Sequence, residues 1–174
     1  MSKVGIIEYE KLVDGTRLMY KNTNLVSVEC PFPVLKNGTQ MFAWCSSLTT
    51  FNVSELPKLE NGESMFYNPK FSTFNCNLPS LKCGNQMFFK NSAAHLTSFQ
   101  GNLDSLVDGE KCFYGQVGFI DFSTNSLQNL KCGKNMFYNT TLNLESVKNI
   151  AEKIGDIKGL DRDKDSDWTY YING

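Results

Sequence analysis

Residues 38–53 read GTQMFAWCSSLTTFNV, and this stretch holds the pattern that decides the fold. Its opening motif, Gly-x-x-Met-Phe, recurs along the chain from Gly38, Gly62, Gly84 and Gly133. The copy from Gly109 has Cys112 in the methionine place, and a degenerate copy puts Met19 and Tyr20 in the same phase. Steps of 22, 24, 22, 25 and 24 residues separate the six copies, counted from Met19. Such a period indicates repeated units that each bury their apolar face against neighbouring units.

A second pattern predicts one short β strand in each unit. Within LTTFNV, apolar Leu48, Phe51 and Val53 face one side, while polar Thr50 and Asn52 face the other. Equivalent runs are LVSVEC at 25–30, FSTFNC at 71–76, LTSFQG at 96–101 and FIDFST at 119–124. Stacking of these units predicts a parallel strand face, with the Met-Phe side chains filling the space behind it.

A family resemblance follows from the motifs. The string MFAWCSSLTTFNV, with LKCGNQMF and LKCGKNMF elsewhere, resembles the BspA-like leucine-rich repeats of bacterial surface and phage-borne proteins, over roughly residues 15–155. The resemblance implies a repeat solenoid: a leucine-rich-repeat-like right-handed coil, mainly β with a parallel strand face, of about six repeats of 22–25 residues and a C-terminal capping helix. The expected boundaries are an N-terminal cap at 1–14, the solenoid at 15–142, and a cap helix with a terminal strand or tail at 143–174.

The capping helix is also expected from the residues themselves. Asn143 is a candidate N-cap and Gly155 a candidate stop. One helical face would carry Leu144, Val147, Ile150, Ala151 and Ile154.

Composition argues against several classes of function. The net charge is −1 and the 174 residues contain a single histidine. Basic residues form no run that would favour nucleic acid, and the scarcity of histidine disfavours most catalytic triads and His-ligated metals. The expectation is therefore a protein that is not an enzyme, has no cofactor and does not bind nucleic acid. The N-terminus shows no signal peptide, and no apolar stretch is long enough to insert into a membrane, which leaves a cytoplasmic location open beside a virion or the cell surface.

The six cysteines are expected to be free thiols. Cys30 and Cys76 share a strand phase but are separated by the unit that carries Val53, and Cys83 and Cys132 are separated in the same way by the unit that carries Asp108. Two strand spacings come to about 10 Å, which is beyond the reach of a disulfide. No other cysteine occupies the repeat position of Cys45, so Cys45 is predicted to be a core residue.

Three further features have a structural and a functional interpretation. His95 stands alone and is expected at the surface rather than in catalysis. A weak candidate for calcium binding is the alternating acidic run Asp161, Asp163, Asp165 and Asp167. It lacks the glycine and the later glutamate of a calcium loop, so a solvated acidic turn is the favoured reading. Trp44 and the cluster Trp168, Tyr170 and Tyr171 are either anchors for a partner or packing at the caps.

The outward strand positions form the candidate binding face. They are Ser27, Glu29, Thr50, Asn52, Thr73, Asn75, Ser98, Gln100, Asp121 and Ser123. Short hydroxyls and amides with few charges suit a glycan or a polar protein surface, and a solvated face with side-chain ladders is the equal alternative.

The expected function is a non-enzymatic binding or structural module. The first expectation is a phage virion- or tail-associated protein that mediates attachment or assembly, with a protein or glycan partner and a place in a larger assembly. The alternatives are a repeat segment of a bacterial cell-surface adhesin or an intracellular protein-binding scaffold.

Overall fold

The fold is described for residues 2–4, 9–68, 70–90 and 96–154 of a computed structural model. Along the chain the elements are β1 (Ser2–Val4), a 3-10 turn (Tyr9–Lys11), β2 (Leu25–Val28), β3 (Thr50–Phe51), β4 (Thr73–Asn75), β5 (Ser98–Gln100), β6 (Asp121–Ser123) and α1 (Leu144–Lys153). All strand pairs are parallel, and they form two sheets, ordered β1-β2-β3 and β4-β5-β6.

The predicted fold class is wrong. A right-handed leucine-rich-repeat-like coil of about six repeats requires one continuous parallel strand face, whereas the described strands form two separate three-stranded sheets. Between β3 and β4 the backbone pairing is reduced to an isolated bridge from Glu55 to Asn77. With its single helix, the described chain is a small mixed α/β domain.

The physical reason lies in the turns, which carry much of the backbone pairing. Gly38 N–H donates to the Asn61 carbonyl at 2.8 Å, and Trp44 N–H donates to the Tyr67 carbonyl at 3.0 Å. Gln40 and Trp44 have left-handed φ values of 54° and 62°, which aim alternate N–H groups along one direction. Because these turns satisfy the backbone, the strand runs can stay two to four residues long.

Phenylalanine rings build the core in two columns. The first column contains Phe42, Phe66, Phe88, Phe113 and Phe137, with successive ring centroids 5.6, 5.5, 5.3 and 5.4 Å apart. The second contains Phe51, Phe74, Phe99 and Phe122, at 5.5, 5.7 and 5.5 Å. The columns meet edge to face, as Phe66 does with Phe51 at 4.8 Å. Both arrangements are favoured for aromatic pairs, so the columns contribute beyond the burial of their area.

The motif glycines allow close packing between segments. A Cβ built on Gly38 would lie 2.7 Å from the sulfur of Met65, the methionine of the following motif. Gly62 meets Met87 in the same way, at 3.1 Å. Neither glycine has a positive φ, so the close thioether of the facing methionine, rather than a turn conformation, favours glycine there.

The degenerate motif copy that contains Met19 and Tyr20 is shifted by one residue from its predicted alignment with the other copies. Met19 N–H donates to the Met41 carbonyl at 3.0 Å, as Phe42 N–H donates to the Met65 carbonyl at 2.9 Å. Met19 therefore occupies the phenylalanine position. Leu18, in the methionine position, is 47% exposed.

Helix α1 covers the outer edge of β6. Asn143 is the N-cap, as predicted, and its Oδ1 accepts from Ser146 N–H at 2.8 Å. The Ser146 hydroxyl accepts from Phe122 N–H at 2.8 Å and donates to the Ile120 carbonyl at 3.1 Å. The predicted helix face is confirmed at Ile150 and Ile154, which are buried, but wrong at Leu144, which is 70% exposed; Ser146 is buried as well. A serine is favoured at position 146 because its hydroxyl pairs with backbone polar groups of the strand edge, which would otherwise be unsatisfied.

Candidate binding face

The two sheets place the predicted face residues in two rows. In the first row, Ser27 pairs with Thr50 in one sheet, while Thr73, Ser98 and Asp121 pair in the other. In the second row, Asn75, Gln100 and Ser123 pair across β4, β5 and β6. Glu29 and Asn52 lie just beyond the ends of β2 and β3. The structure therefore brings six of the ten side chains together on one three-stranded sheet.

Exposure differs between the rows. The second row, Glu29, Asn52, Asn75, Gln100 and Ser123, is exposed throughout. The first row is more covered, and Ser27 is only 7% exposed where β1 lies beside β2. The accessible part of the candidate face is therefore its amide-rich second row.

Three shallow concavities follow one another along this face. The first has a volume of about 280 Å³ and is lined by Asn52, Ser54 and Asn75, among others. The second, about 330 Å³, lies between β4 and β6 and includes Gln100 and Ser123. A third of about 250 Å³ lies against α1. Each is at or below the lower end of ordinary small-ligand sites, about 300–1,000 Å³.

The concavities are polar and carry little charge. Side-chain amides and hydroxyls line the first two, with no acidic or basic residue among them. The third includes Asp121 and Glu145, and the Asn143 amide donates to the Asp121 carboxylate at 2.5 Å. No lysine, arginine or histidine lines any of the three. An anionic ligand would therefore lose hydration in these concavities without gaining a contact with a cationic side chain.

Cysteines lie behind the face rather than on it. All six are free, and the bridge order Cys83, Asp108, Cys132 agrees with the predicted separation of this pair. Cys76 directly follows Asn75 and is buried. Burial, with a smaller contribution from Glu55, raises the pKa of the Cys76 thiol to about 12. At neutral pH this thiol is therefore protonated and is a poor nucleophile.

Sequence reasoning missed a third aromatic column, at the surface. It contains Trp44, Tyr67, Phe89, Tyr114 and Tyr138, with successive ring centroids 5.3, 5.0, 4.8 and 4.9 Å apart. Trp44 and Tyr138, at its two ends, are 43% and 40% exposed. Trp44, for which the sequence left a partner anchor and packing at the caps open, is thus the first member of this column. In the other four members the aromatic residue directly follows the Met-Phe or Cys-Phe pair, which was the available signal, whereas Trp44 stands one residue later, after Ala43.

Lys90 is the last described residue before the gap at 91–95. Lys90 is buried, and burial, with a smaller contribution from Lys70, lowers the pKa of its ammonium group. His95 lies outside the described residues. So do the acidic run Asp161, Asp163, Asp165 and Asp167, the cluster Trp168, Tyr170 and Tyr171, and the expected terminal strand.

Two features of the described residues bear on other functions. Among them, no group of three or more His, Cys, Asp or Glu side chains could hold a metal ion. Within the same residues, no helix is long and apolar enough to cross a membrane.

Comparison with known proteins gives no relative. No protein-family model matches the chain, and no curated protein or solved structure is significantly similar to it. The resemblance to BspA-like repeats therefore stays a prediction from the sequence motifs.

Proposed function

We propose that this protein is a non-enzymatic binding or structural module. In this proposal it is a virion- or tail-associated component of a phage, where it mediates attachment or assembly. The observation that carries the binding role is the exposed row of amide and hydroxyl side chains Asn75, Gln100 and Ser123, held in register on a rigid sheet. The phage setting rests on the resemblance of the motifs to repeats of phage-borne and surface proteins.

The chemistry of the face supports recognition rather than catalysis. Each side-chain amide offers both a donor and an acceptor, so a row of them can read a polar surface by hydrogen bonds. Cys76, the nearest thiol, is buried, with a pKa raised to about 12. Binding through neutral hydrogen bonds should depend only weakly on salt, unlike binding to phosphate groups.

The test introduces positive charge on the neutral face without a change in fold. Asn52 and Asn75 are exposed, and their side chains make no hydrogen bond within the described residues. The double variant Asn52→Lys with Asn75→Lys should therefore fold normally, with an unchanged urea midpoint. Purified protein is incubated separately with phage virions and with bacterial cell envelopes, and the pelleted fraction is measured after sedimentation.

The matched control carries the same two added charges elsewhere. Asn24→Lys with Gln128→Lys changes exposed residues away from the face. The proposal expects wild type and control to sediment with virions, and the face variant to stay in the supernatant. Sedimentation with envelopes alone would place the protein on cells instead. Equal sedimentation of wild type and face variant would show that the face is only solvated.

A further inference from the structure

We propose that the concavity between β4 and β6 binds a neutral, polyhydroxylated ligand, namely a sugar residue of a glycan. This inference rests on the proposed function and names the ligand class of the same face. The concavity has a volume of about 330 Å³ and includes Asn75, Gln100, Ser123 and Thr124 in its lining. The hydrogen-bonding chemistry of the exposed lining groups and the covered edge of β6 point to this class of ligand.

The lining matches the hydrogen-bonding chemistry of a sugar. A sugar hydroxyl both donates and accepts, and so do the lining amides and the Ser123 hydroxyl. Asn75 and Gln100 lie on adjacent paired strands, so two amides can contact one ring. Because the lining holds no charged residue, a sulfate, phosphate or carboxylate group would lose hydration without gaining an ionic partner. The ligand is therefore expected to be uncharged.

Thr124 lies at the edge of the concavity but does not contribute its hydroxyl to it. The residue is only 5% exposed, and its buried Oγ1 has no hydrogen-bond partner within the described residues. Its backbone N–H donates to the Asn149 side chain at 3.3 Å. A buried polar group without a partner costs about 1–3 kcal/mol, and natural proteins retain few of them. Because this oxygen is not exposed, the groups available to a ligand are the exposed side chains of Asn75, Gln100 and Ser123.

Gly101 contributes backbone to the lining of the concavity. It follows Gln100, the last residue of the central strand. A Cβ there would collide with the carbonyl oxygen of Cys76, so the position is restricted to glycine. The next contact would be the buried Phe99 ring at 3.2 Å, so this glycine permits close packing on the core side of the sheet.

An extended peptide fits this surface less well. Peptides that bind to sheets usually pair with an exposed edge strand and place alternate side chains in pockets. Here the Ser146 hydroxyl of α1 already accepts from the N–H of Phe122 on β6 and donates to the carbonyl of Ile120, the residue before β6. The polar lining of the concavity also offers little apolar surface for peptide side chains. A glycan needs neither an edge nor an apolar pocket.

The experiment is a titration of the full chain, labelled with ¹⁵N, followed by NMR. The probes are neutral hexasaccharides of glucose, mannose and N-acetylglucosamine, an acidic heparin hexasaccharide, and an uncharged heptapeptide of Ser, Thr and Asn. At least one neutral hexasaccharide should shift the side-chain amide signals of Asn75 and Gln100. Gln100→Ala should weaken that affinity about tenfold or more, because it removes paired hydrogen bonds. Gln128→Ala, the same change at an exposed site outside the concavity, should leave it unchanged.

Several outcomes would overturn the glycan proposal. They are no shift with any neutral hexasaccharide at millimolar concentration, binding of the peptide or heparin probe alone, and an affinity insensitive to Gln100→Ala. A failure of the proposed function can be distinguished from a failure of the glycan proposal. If the Asn52→Lys, Asn75→Lys variant loses attachment while no neutral glycan binds, the binding face stands and the ligand class is wrong.

Discussion

Gly38 and Gly84 occupy equivalent motif positions, yet we predict opposite effects when each is replaced by alanine. A Cβ at Gly38 would lie 2.7 Å from the sulfur and 3.1 Å from the methyl carbon of Met65, which is fully buried. At Gly84 the facing residue is Cys112 instead of methionine, and the nearest atoms are 3.3 Å (Leu106) and 3.5 Å (Cys112) away. Neither glycine has a positive φ, so backbone strain does not distinguish them.

The magnitudes follow from packing and chain entropy. Forcing an extra methyl group into a packed core costs about 1–3 kcal/mol. Replacing glycine by alanine regains about 0.4–1 kcal/mol through the unfolded state. Gly38→Ala should therefore lower the free energy of unfolding by about 1–2 kcal/mol, whereas Gly84→Ala should raise it by about 0.4–1 kcal/mol. Urea unfolding followed by far-ultraviolet circular dichroism measures both, provided the m-values agree with wild type.

A double-mutant cycle tests the cause. Met65→Cys makes the residue that faces Gly38 a cysteine, as Cys112 already is opposite Gly84. On its own it should cost about 2 kcal/mol, because it leaves a cavity. Combined with Gly38→Ala, the total cost should be smaller than the sum by about 1 kcal/mol or more, since the new methyl enters the vacated space. Equal destabilisation by Gly38→Ala and Gly84→Ala, or strict additivity in the cycle, would refute the argument from the facing side chain.

Three further predictions concern the core, the thiols and the helix. Changing Phe66, Phe88 or Phe113 to alanine should cost about 3–5 kcal/mol each in urea unfolding, because all three are buried in one stacked column; a neutral variant would contradict this packing. Burial raises the pKa of the Cys76 thiol to about 12, so above about pH 9 the unfolded state loses this proton before the folded state does. The free energy of unfolding should therefore fall there by up to about 1.4 kcal/mol per pH unit for this thiol. Cys76→Val should flatten that decline, and an unchanged pH profile would disprove the assignment. Ser146→Ala should cost about 1–3 kcal/mol and speed hydrogen exchange at the Phe122 amide, which loses the Ser146 hydroxyl as acceptor; unchanged exchange would show that α1 does not satisfy the β6 edge.

Features that depend on nearby residues could be predicted from the sequence, whereas the backbone pairing between distant segments could not. The N-cap at Asn143 was predicted from its position before an amphipathic run, because the capping interaction involves only the next few residues. The buried face of the same helix was predicted correctly at Ile150 and Ile154 but missed Ser146, which contacts the polar edge of β6, because helical periodicity does not report such a contact. In the same way, Trp44 looked irregular in sequence, although it stacks on Tyr67 at 5.3 Å.

By itself, the sequence determined which side chains recur. Hydrophobic periodicity set the positions of Phe66, Phe88 and Phe113, because large apolar side chains at a constant spacing must be buried together. Only the tertiary structure decided how the backbones pair. Whether adjacent runs form a ladder depends on hydrogen bonds between residues far apart in sequence, and here the pairing between β3 and β4 is reduced to the bridge from Glu55 to Asn77. The tertiary structure therefore produced two sheets where the repeat predicted one, and divided the candidate binding face at that junction.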